Sequence, residues 1–529
     1  MSTAIRVISG TVASWAQIAV TMASQIALVP IYLSYWDVKT YGVWLAIHGI
    51  MGILSMLDLG FQNYMSFEFL KLGRNNIPSL NKSLSSAIVF ATGLGVLQIG
   101  LIFILISTGI MVFLIGESGS GDSDLIYNAG IALVLQGITW LVLMSGPGLM
   151  IKTLAAFGYF AKTAWWNVVF AIVTAVAPLI AVVAGGDLLL ASIALTSGSL
   201  IHGVALYVYL LRSLKKEGFR LVRPSFRLGF SNFLLSTPLL GKAILENVRQ
   251  QGVRLLVAPL AGPVGLAAFS TMRTGSNVTL QGLNTIIHPL LPDLLRFLHD
   301  RDQPRVDAGF ATLWIVVVAF IAPGIVILQA FAEPLFVLWT QGKITFDPLL
   351  FSLLSLGVLV YAVIQPAIAV VIGNNLTRIQ LVLAAISAII VLAVLAASVP
   401  LIGIVGAGIA LLAAEIAGAV GYYFHAKRWL HQNDMLWPAH CFKLALASVL
   451  IASSALEFLL WMPDFKWLIL GISMALFALN VWRYWAALPA IATSGFHRLL
   501  STVPVLKRFV KTNSKGEIEN AGNEFPTKM

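Results

Sequence analysis

NFLLSTPLLGKAILENVRQQGVRLLVAPLAGPVGLAAFSTMRTGSNVTLQGLNTIIH, residues 232–288, reads as two apolar helical segments carrying four basic side chains, Lys242, Arg249, Arg254 and Arg273. One acidic residue, Glu246, opposes them. At about 100° per residue, Lys242, Glu246 and Arg249 fall within roughly 60° of arc, with Gln250 and Arg254 continuing the polar side. Arg273, Asn277, Gln281, Asn284 and His288 recur within about 80° on the next segment. A charge at the bilayer centre costs at least about 2.5 to 3.5 kcal/mol by insertion scales, so such residues face a bundle interior or a wet cavity. The expectation is that two adjacent helices line one cationic, amide-rich space. The structural alternative is pairing with Glu246 or with helix-end carbonyls, but one carboxylate does not neutralise four cations.

The whole chain supplies the membrane context. Its 529 residues are 59% hydrophobic and 10% charged, with a mean hydropathy of +0.90; a soluble domain carries about 25% charged residues. This is the composition of an all-α polytopic membrane protein. Cys441 is the only cysteine, which excludes an intramolecular disulfide, a CxxC metal site and an iron–sulfur cluster. A lone histidine in a polar stripe, His48, does not make a metal site, and no metal or other cofactor is expected. The formal charge of +11 is better explained by membrane topology than by nucleic acid, because the bases sit in short loops between apolar runs.

Apolar runs of about 18 to 25 residues give fourteen candidate spans, near 9–33, 41–63, 86–115, 127–151, 161–184, 188–211, 230–259, 262–290, 308–339, 349–372, 378–400, 404–425, 442–461 and 466–488. The first run has no small-residue cleavage pattern after it and is expected to be a retained span. Even-numbered loops carry Lys71, Arg74 and Lys82, then Lys152 and Lys162, then Arg212, Lys215, Lys216, Arg220, Arg223 and Arg227. They continue with Arg296, Arg301 and Arg305, then Arg378, then Lys427, Arg428 and Lys443, whereas odd-numbered loops hold only Lys39, Lys343 and Lys466. By the positive-inside rule both termini are cytoplasmic.

The longest basic loop divides the chain into an N-terminal six-helix lobe, 1–211, a cytoplasmic connector, 212–229, and a second six-helix lobe, 230–428. An extra helix pair, 429–490, follows, and then a tail, 491–529, in which Arg498, Lys507, Arg508 and Lys511 interleave with apolar residues as in an interfacial helix facing membrane lipids. A shift of 223 positions lays Tyr41-Gly42 on Val264-Gly265. An even number of spans per half makes the lobes parallel repeats, with substrate between them.

The N-terminal lobe offers polar groups without charge. Gln17, Thr21, Ser24 and Gln25 share a face of the first span, and Trp44, His48, Ser55 and Gln62 one side of the second. Asp58 reads first as a hydrogen-bonded carboxyl near a helix end and second as an ion-coupling residue. For Glu415, amid small residues, the readings of coupling site and of paired or protonated carboxyl stand side by side.

Gln25-Ile-Ala-Leu-Val-Pro30, Tyr41-Gly-Val-Trp44, Leu57-Asp-Leu-Gly60 and Gly403-Ile-Val-Gly-Ala-Gly408 resemble segments of the O-antigen and polysaccharide flippases of the multidrug/oligosaccharidyl-lipid/polysaccharide exporter superfamily. The resemblance covers most of the first twelve spans. It implies a carrier, not an enzyme, that moves undecaprenyl-pyrophosphate-linked repeat units across the bacterial inner membrane, in association with polysaccharide-assembly proteins. Arg249, Arg254 and Arg273, supported by Lys242, would meet the pyrophosphate or acidic sugars. Gln17, Gln25, Trp44, Asn277, Gln281 and Asn284 would meet the sugars. Two rivals remain: a multidrug exporter of the same superfamily, whose cationic cargo would call for acidic residues, and a membrane polysaccharide polymerase. The short external loops and the lack of HExxH, GxSxG or P-loop spacing argue against the second.

Overall fold

In lipid every backbone polar group must be satisfied within its own segment, and the chain answers with helices throughout. The computed structural model describes residues 3–116 and 122–493, with the side chains of 3–8, 74–75, 249–250, 279, 282–289 and 292 outside that description. No strand occurs among the described residues. Among the described residues thirteen helices are long and apolar enough to cross a membrane, or fourteen when the bent pair Val38–Leu54 and Met56–Leu72 counts as one span. They correspond one for one to the fourteen expected spans, so the chain is an all-helical, multi-pass membrane protein.

Local chemistry sets the ends. Asp187 Oδ1 accepts from Leu190 N at 2.8 Å to start Leu188–Lys216, whose last turn holds Lys215 and Lys216 against the negative end of the helix dipole. Within the spans, hydroxyls bond back to the preceding turn: Thr21 to Gln17 O at 2.9 Å, Ser24 to Val20 O at 2.7 Å, Ser192 to Leu188 O at 2.8 Å. Each such bond removes a polar group from the lipid account without a neighbour's help.

The structure differs from the expected spans at the breaks. The third span begins earlier, at Ile77, and stops at Ser107, because Gly109 adopts φ +74° and restarts the chain as a short helix, Ile110–Leu114. The second bends by 43° at Ser55, whose hydroxyl bonds Gly52 O at 3.0 Å. Phe226–Asn247 runs through a π turn, Val248–Gly252, into Val253–His299, and that last element is broken at Gly262, with φ 72° and ψ 172°. The expected boundary between spans seven and eight lies there. Further π turns occupy Leu141–Ser145 and Val317–Ile321.

By internal contacts the chain falls into two compact units. The first comprises Met1–Thr285, Leu328–Val358 and Thr377–Gly421. Its core joins Trp36, Tyr41, Trp44, Val253, Phe269, Leu350, Val391 and Ala407. Helices in lipid associate through close packing rather than water expulsion, and glycine permits it here: a Cβ on Gly42 would lie 2.0 Å from Pro263 O, and one on Gly60 2.8 Å from Leu240 Cα. The basic connector is irregular only from Glu217 to Ser225, since the flanking helices extend to Lys216 and from Phe226. It is tied down along Ile77–Ser107: Arg220 N donates to Asn81 Oδ1 at 3.3 Å, Val222 N to Ser85 Oγ at 3.1 Å and Ser225 N to Ser86 Oγ at 2.9 Å.

The second unit comprises Ile286–Ile327, Leu359–Leu376 and Tyr422–Met529. Phe310, Trp314, Tyr423, Trp437 and Phe442 pack into one aromatic knot, ring centroids 5.3 to 5.8 Å apart. The final pair, Ala439–Trp461 and Lys466–Ala486, is anchored by Tyr484 OH donating to Ala311 O at 2.8 Å and by Asn480 Nδ2 donating to Ser448 Oγ at 2.7 Å. The expected interfacial helix around Arg498 to Lys511, and the tail beyond, lie outside the described residues.

Candidate functional site

A cavity of about 610 Å³ opens within the first unit. Val38–Leu54 supplies Tyr41, Trp44 and His48 to its wall, and the opening helix, Thr3–Tyr35, supplies Thr21, Ser24, Gln25 and Tyr32. Gln136, Thr139 and Trp140 come from Ser123–Trp140, and Phe170 and Thr174 from Phe160–Val183. Ser199, Arg254 and Thr274 complete the polar lining.

Among the described residues Arg254 is the one charged residue of that lining, which holds no Asp or Glu. Its Nη1 donates to Gln251 Oε1 at 3.2 Å, while its Nε is buried and has no hydrogen-bond partner in the protein. Among the described residues no carboxylate pairs with it. Gly49, one residue past His48, packs against the arginine: a Cβ there would make ordinary contact with Arg254 Cβ at 3.7 Å. The charge acts on Tyr41 and His48 as its nearest titratable neighbours. In a site away from bulk water such a charge is screened weakly, so the cavity carries a local positive potential.

Beside the arginine stands an aromatic wall. Tyr32 packs on Trp36 at 5.1 Å and on Trp44 at 6.1 Å between ring centroids, and Trp44 meets His48 at 4.5 Å. His48 Nδ1 lies 2.9 Å from Trp44 O. Two further donors are buried without partners, Gln136 Nε2 and Trp140 Nε1. Chemically the space offers one guanidinium, a spare amide donor on Gln136 and flat apolar faces. That combination accepts an anion attached to a hydroxyl-rich or ring-shaped group.

The structure distributes the sequence candidates unevenly. Arg254, Gln25 and Trp44 line the cavity, and Gln281 Nε2 donates to Gln25 Oε1 at 2.8 Å, joining the opening helix to Val253–His299. Lys242 is not among the lining residues; its Nζ donates to Gln380 Oε1 at 2.5 Å and lies 3.7 Å from Glu246. Arg273 places its guanidinium 5.9 Å from the Phe269 ring centroid, also away from the lining. Gln17 and Asn277 are half-buried on their helices and do not line it. The side chains of Arg249 and Asn284 lie outside the described residues.

Of the two acids singled out, Asp58 is fully buried just beyond the cavity floor. Its Oδ2 accepts from Gln62 Nε2 at 2.7 Å, the same amide nitrogen reaches Met144 O at 2.9 Å, and Asp58 Oδ1 has no direct partner. Trp140 and Ser145, whose donors are also unpaired, stand beside it without meeting hydrogen-bond geometry. Glu415 is half-buried against Gly357. Sequence reasoning missed Gln136, Thr139, Trp140 and Thr174. The first three recur at i, i+3 and i+4, a one-sided polar spacing in an uncharged span that was there to be read.

No protein-family model and no curated protein matches this chain. Solved structures do. The lipid II flippase MurJ in an inward closed conformation superposes with a TM-score of 0.66 over 93% of this chain and 99% of that one, at 14% identity. An inward-facing multidrug resistance MATE family transporter of the MOP superfamily gives 0.63 over 78% and 97%, at 11% identity. A MOP superfamily transporter from Pyrococcus furiosus, described as having a binding pocket of reverse polarity, gives 0.54 over 80% and 94%, at 11% identity. At such identities the likeness is one of fold, and the fold of this chain is the one these transporters share.

Proposed function

We propose that this chain is a carrier, not an enzyme, that flips a polyprenyl-pyrophosphate-linked oligosaccharide across the bacterial inner membrane by alternating access. The observation that carries this reading is a cavity whose lining holds one guanidinium and no carboxylate. An unpaired cation in such a place costs several kcal/mol, and an anionic cargo that arrives with its own charge offsets that cost. The planar fork of Arg254 matches the oxygens of a phosphate or pyrophosphate. The spare donor of Gln136, the Gln25–Gln281 amide pair and the Trp44 face suit the sugars. A lipid tail stays in the bilayer and needs no enclosure. The likeness in fold to a lipid II flippase supports a lipid-linked cargo. A cavity meant for cationic drugs would need acidic groups, which this lining lacks.

The two six-helix lobes and the cytoplasmic placement of both termini belong to the same proposal. Gly42, set against Pro263, supports the lobe arrangement, because its partner in the 223-residue offset is Gly265, two residues away. Arg249 and Arg273 serve as further contacts along the path, Lys242 braces its helix through Gln380, and Asp58 and Glu415 are the coupling candidates. The test is leaflet assignment of the lipid-linked intermediate in cells that rely on the wild-type chain or on Arg254→Gln. With equal protein abundance, the variant should leave the intermediate facing the cytoplasm and cut surface polysaccharide at least tenfold. Normal surface polysaccharide in that variant sinks the anionic-cargo reading.

A further inference from the structure

His48 stands in this cavity with one nitrogen committed and the other free. Its Nδ1 sits 2.9 Å from Trp44 O, and a carbonyl oxygen only accepts, so Nδ1 carries a hydrogen whatever the charge of the ring. Among the described residues Nε2 has no hydrogen-bond partner, it is not one of the fully buried unpaired atoms, and His48 lines the cavity, which leaves this nitrogen for a bound group. In the neutral ring Nε2 can only accept a hydrogen bond; in the charged ring it can only donate one.

The groups around the ring decide which form is present. Arg254 is its charged neighbour. Tyr32 from the opening helix and Tyr41 from its own helix are the other titratable groups of the wall. Ser123–Trp140 contributes the uncharged Gln136, Thr139 and Trp140. On Phe226–Asn247, Lys242 and Glu246 pair with each other, and the side chain of Arg249 lies outside the described residues. Among the described residues the lining offers the ring no carboxylate as counter-ion, its charged neighbour is a cation, and the buried acid of Met56–Leu72, Asp58, lies outside the lining and accepts from Gln62.

An anion seated on Arg254 reverses the sign of the local field. Resting on the anionic-cargo reading above, we propose that His48 and Arg254 form a two-part clamp for a phosphate or pyrophosphate group, in which His48 takes up one proton from solvent as the anion seats. Nε2–H then donates to a phosphate oxygen, the guanidinium fork holds the others, and release of the cargo returns the proton. The clamp makes loading proton-linked at the cargo itself, in addition to any coupling through Asp58 or Glu415. It also explains why the imidazole is pinned by a backbone bond: the ring presents the same nitrogen to the cavity before and after it charges.

The test uses the purified full chain in detergent and farnesyl pyrophosphate as the probe, titrated calorimetrically between pH 6 and 8.5 in buffers of different ionisation enthalpy. Wild type should take up up to one proton more per bound probe than His48→Gln. Relative to that variant its Kd should fall with falling pH by up to about tenfold per pH unit, the two converging at the alkaline end. His48→Asn, which keeps a donor near Trp44 O, replaces the Gln variant if thermal melting shows the latter unfolded. Equal proton counts and parallel pH profiles for wild type and both variants overturn the clamp while leaving the anion site standing. Failure of wild type to bind the probe, or unchanged binding by Arg254→Gln, overturns the anionic-cargo reading and the clamp with it.

Discussion

Two of this protein's aromatic clusters differ in the space that their rings leave. In the knot of Phe310, Trp314, Tyr423, Trp437 and Phe442 the rings fill the space, and Trp314 Nε1 donates to Val363 O at 2.7 Å. Trp437 Nε1 is its one buried ring donor without a partner. In the wall Trp36 Nε1 donates to Gly186 O at 3.0 Å, but the rings of Tyr32, Tyr41, Trp44 and His48 border about 610 Å³ of open space, where Arg254 Nε and Gln136 Nε2 have no hydrogen-bond partner among the described residues. A packed, nearly satisfied cluster stabilises a fold. An unfilled one with surplus donors weakens the fold locally and is kept for what it binds.

The sharpest way to break this contrast is to truncate one ring on each side. Trp314 is fully buried, and Trp314→Ala should cost about 3 to 5 kcal/mol of stability, seen as a lower melting temperature and lower abundance, with unchanged probe affinity per folded molecule. Trp44→Leu, at a ring that the core of the first unit and the cavity share, should cost stability as well but also lower affinity per folded molecule. An aromatic contact contributes about 0.5 to 1.5 kcal/mol beyond area, so affinity for a glycosylated lipid pyrophosphate should fall roughly two- to tenfold while farnesyl pyrophosphate binding changes less. If Trp44→Leu keeps full affinity per folded molecule, the wall is core alone and the contrast fails.

How much of this was legible in the sequence follows from what each signal reports. The spans were readable because lipid imposes length and apolarity on every one, and the Gly262 boundary because Gly-Pro breaks a helix. The bend at Ser55 and the π turns were not, since an inserted residue in a turn changes hydrogen bonding without changing composition. The site was half legible. Periodicity placed Lys242 and Arg254 on one polar side, but helical periodicity gives azimuth and not depth. About 1.5 Å of rise per residue separates the two by roughly 18 Å. At one level the neighbour is Gln380 and at the other the cavity with Tyr41 and His48. Which helix stands opposite is a property of the packed bundle, and that is why Gln136 and Trp140 emerged only with the fold.

The smallest expected effect is the most discriminating. Gln136 carries a buried amide nitrogen with no hydrogen-bond partner and borders the cavity. An unsatisfied buried donor costs about 1 to 3 kcal/mol, so Gln136→Leu, close in size and apolar, should hold or raise the melting temperature by a few degrees. The same change removes a donor meant for a hydroxyl, and affinity for the glycosylated lipid should drop a few-fold, with farnesyl pyrophosphate binding unaltered. Stability and binding would then move in opposite directions at one residue, the signature of a group retained for its ligand. Were Gln136→Leu to lose stability and keep its affinity for the sugar, the amide would belong to the scaffold, and the oligosaccharide would have to be recognised elsewhere in the bundle.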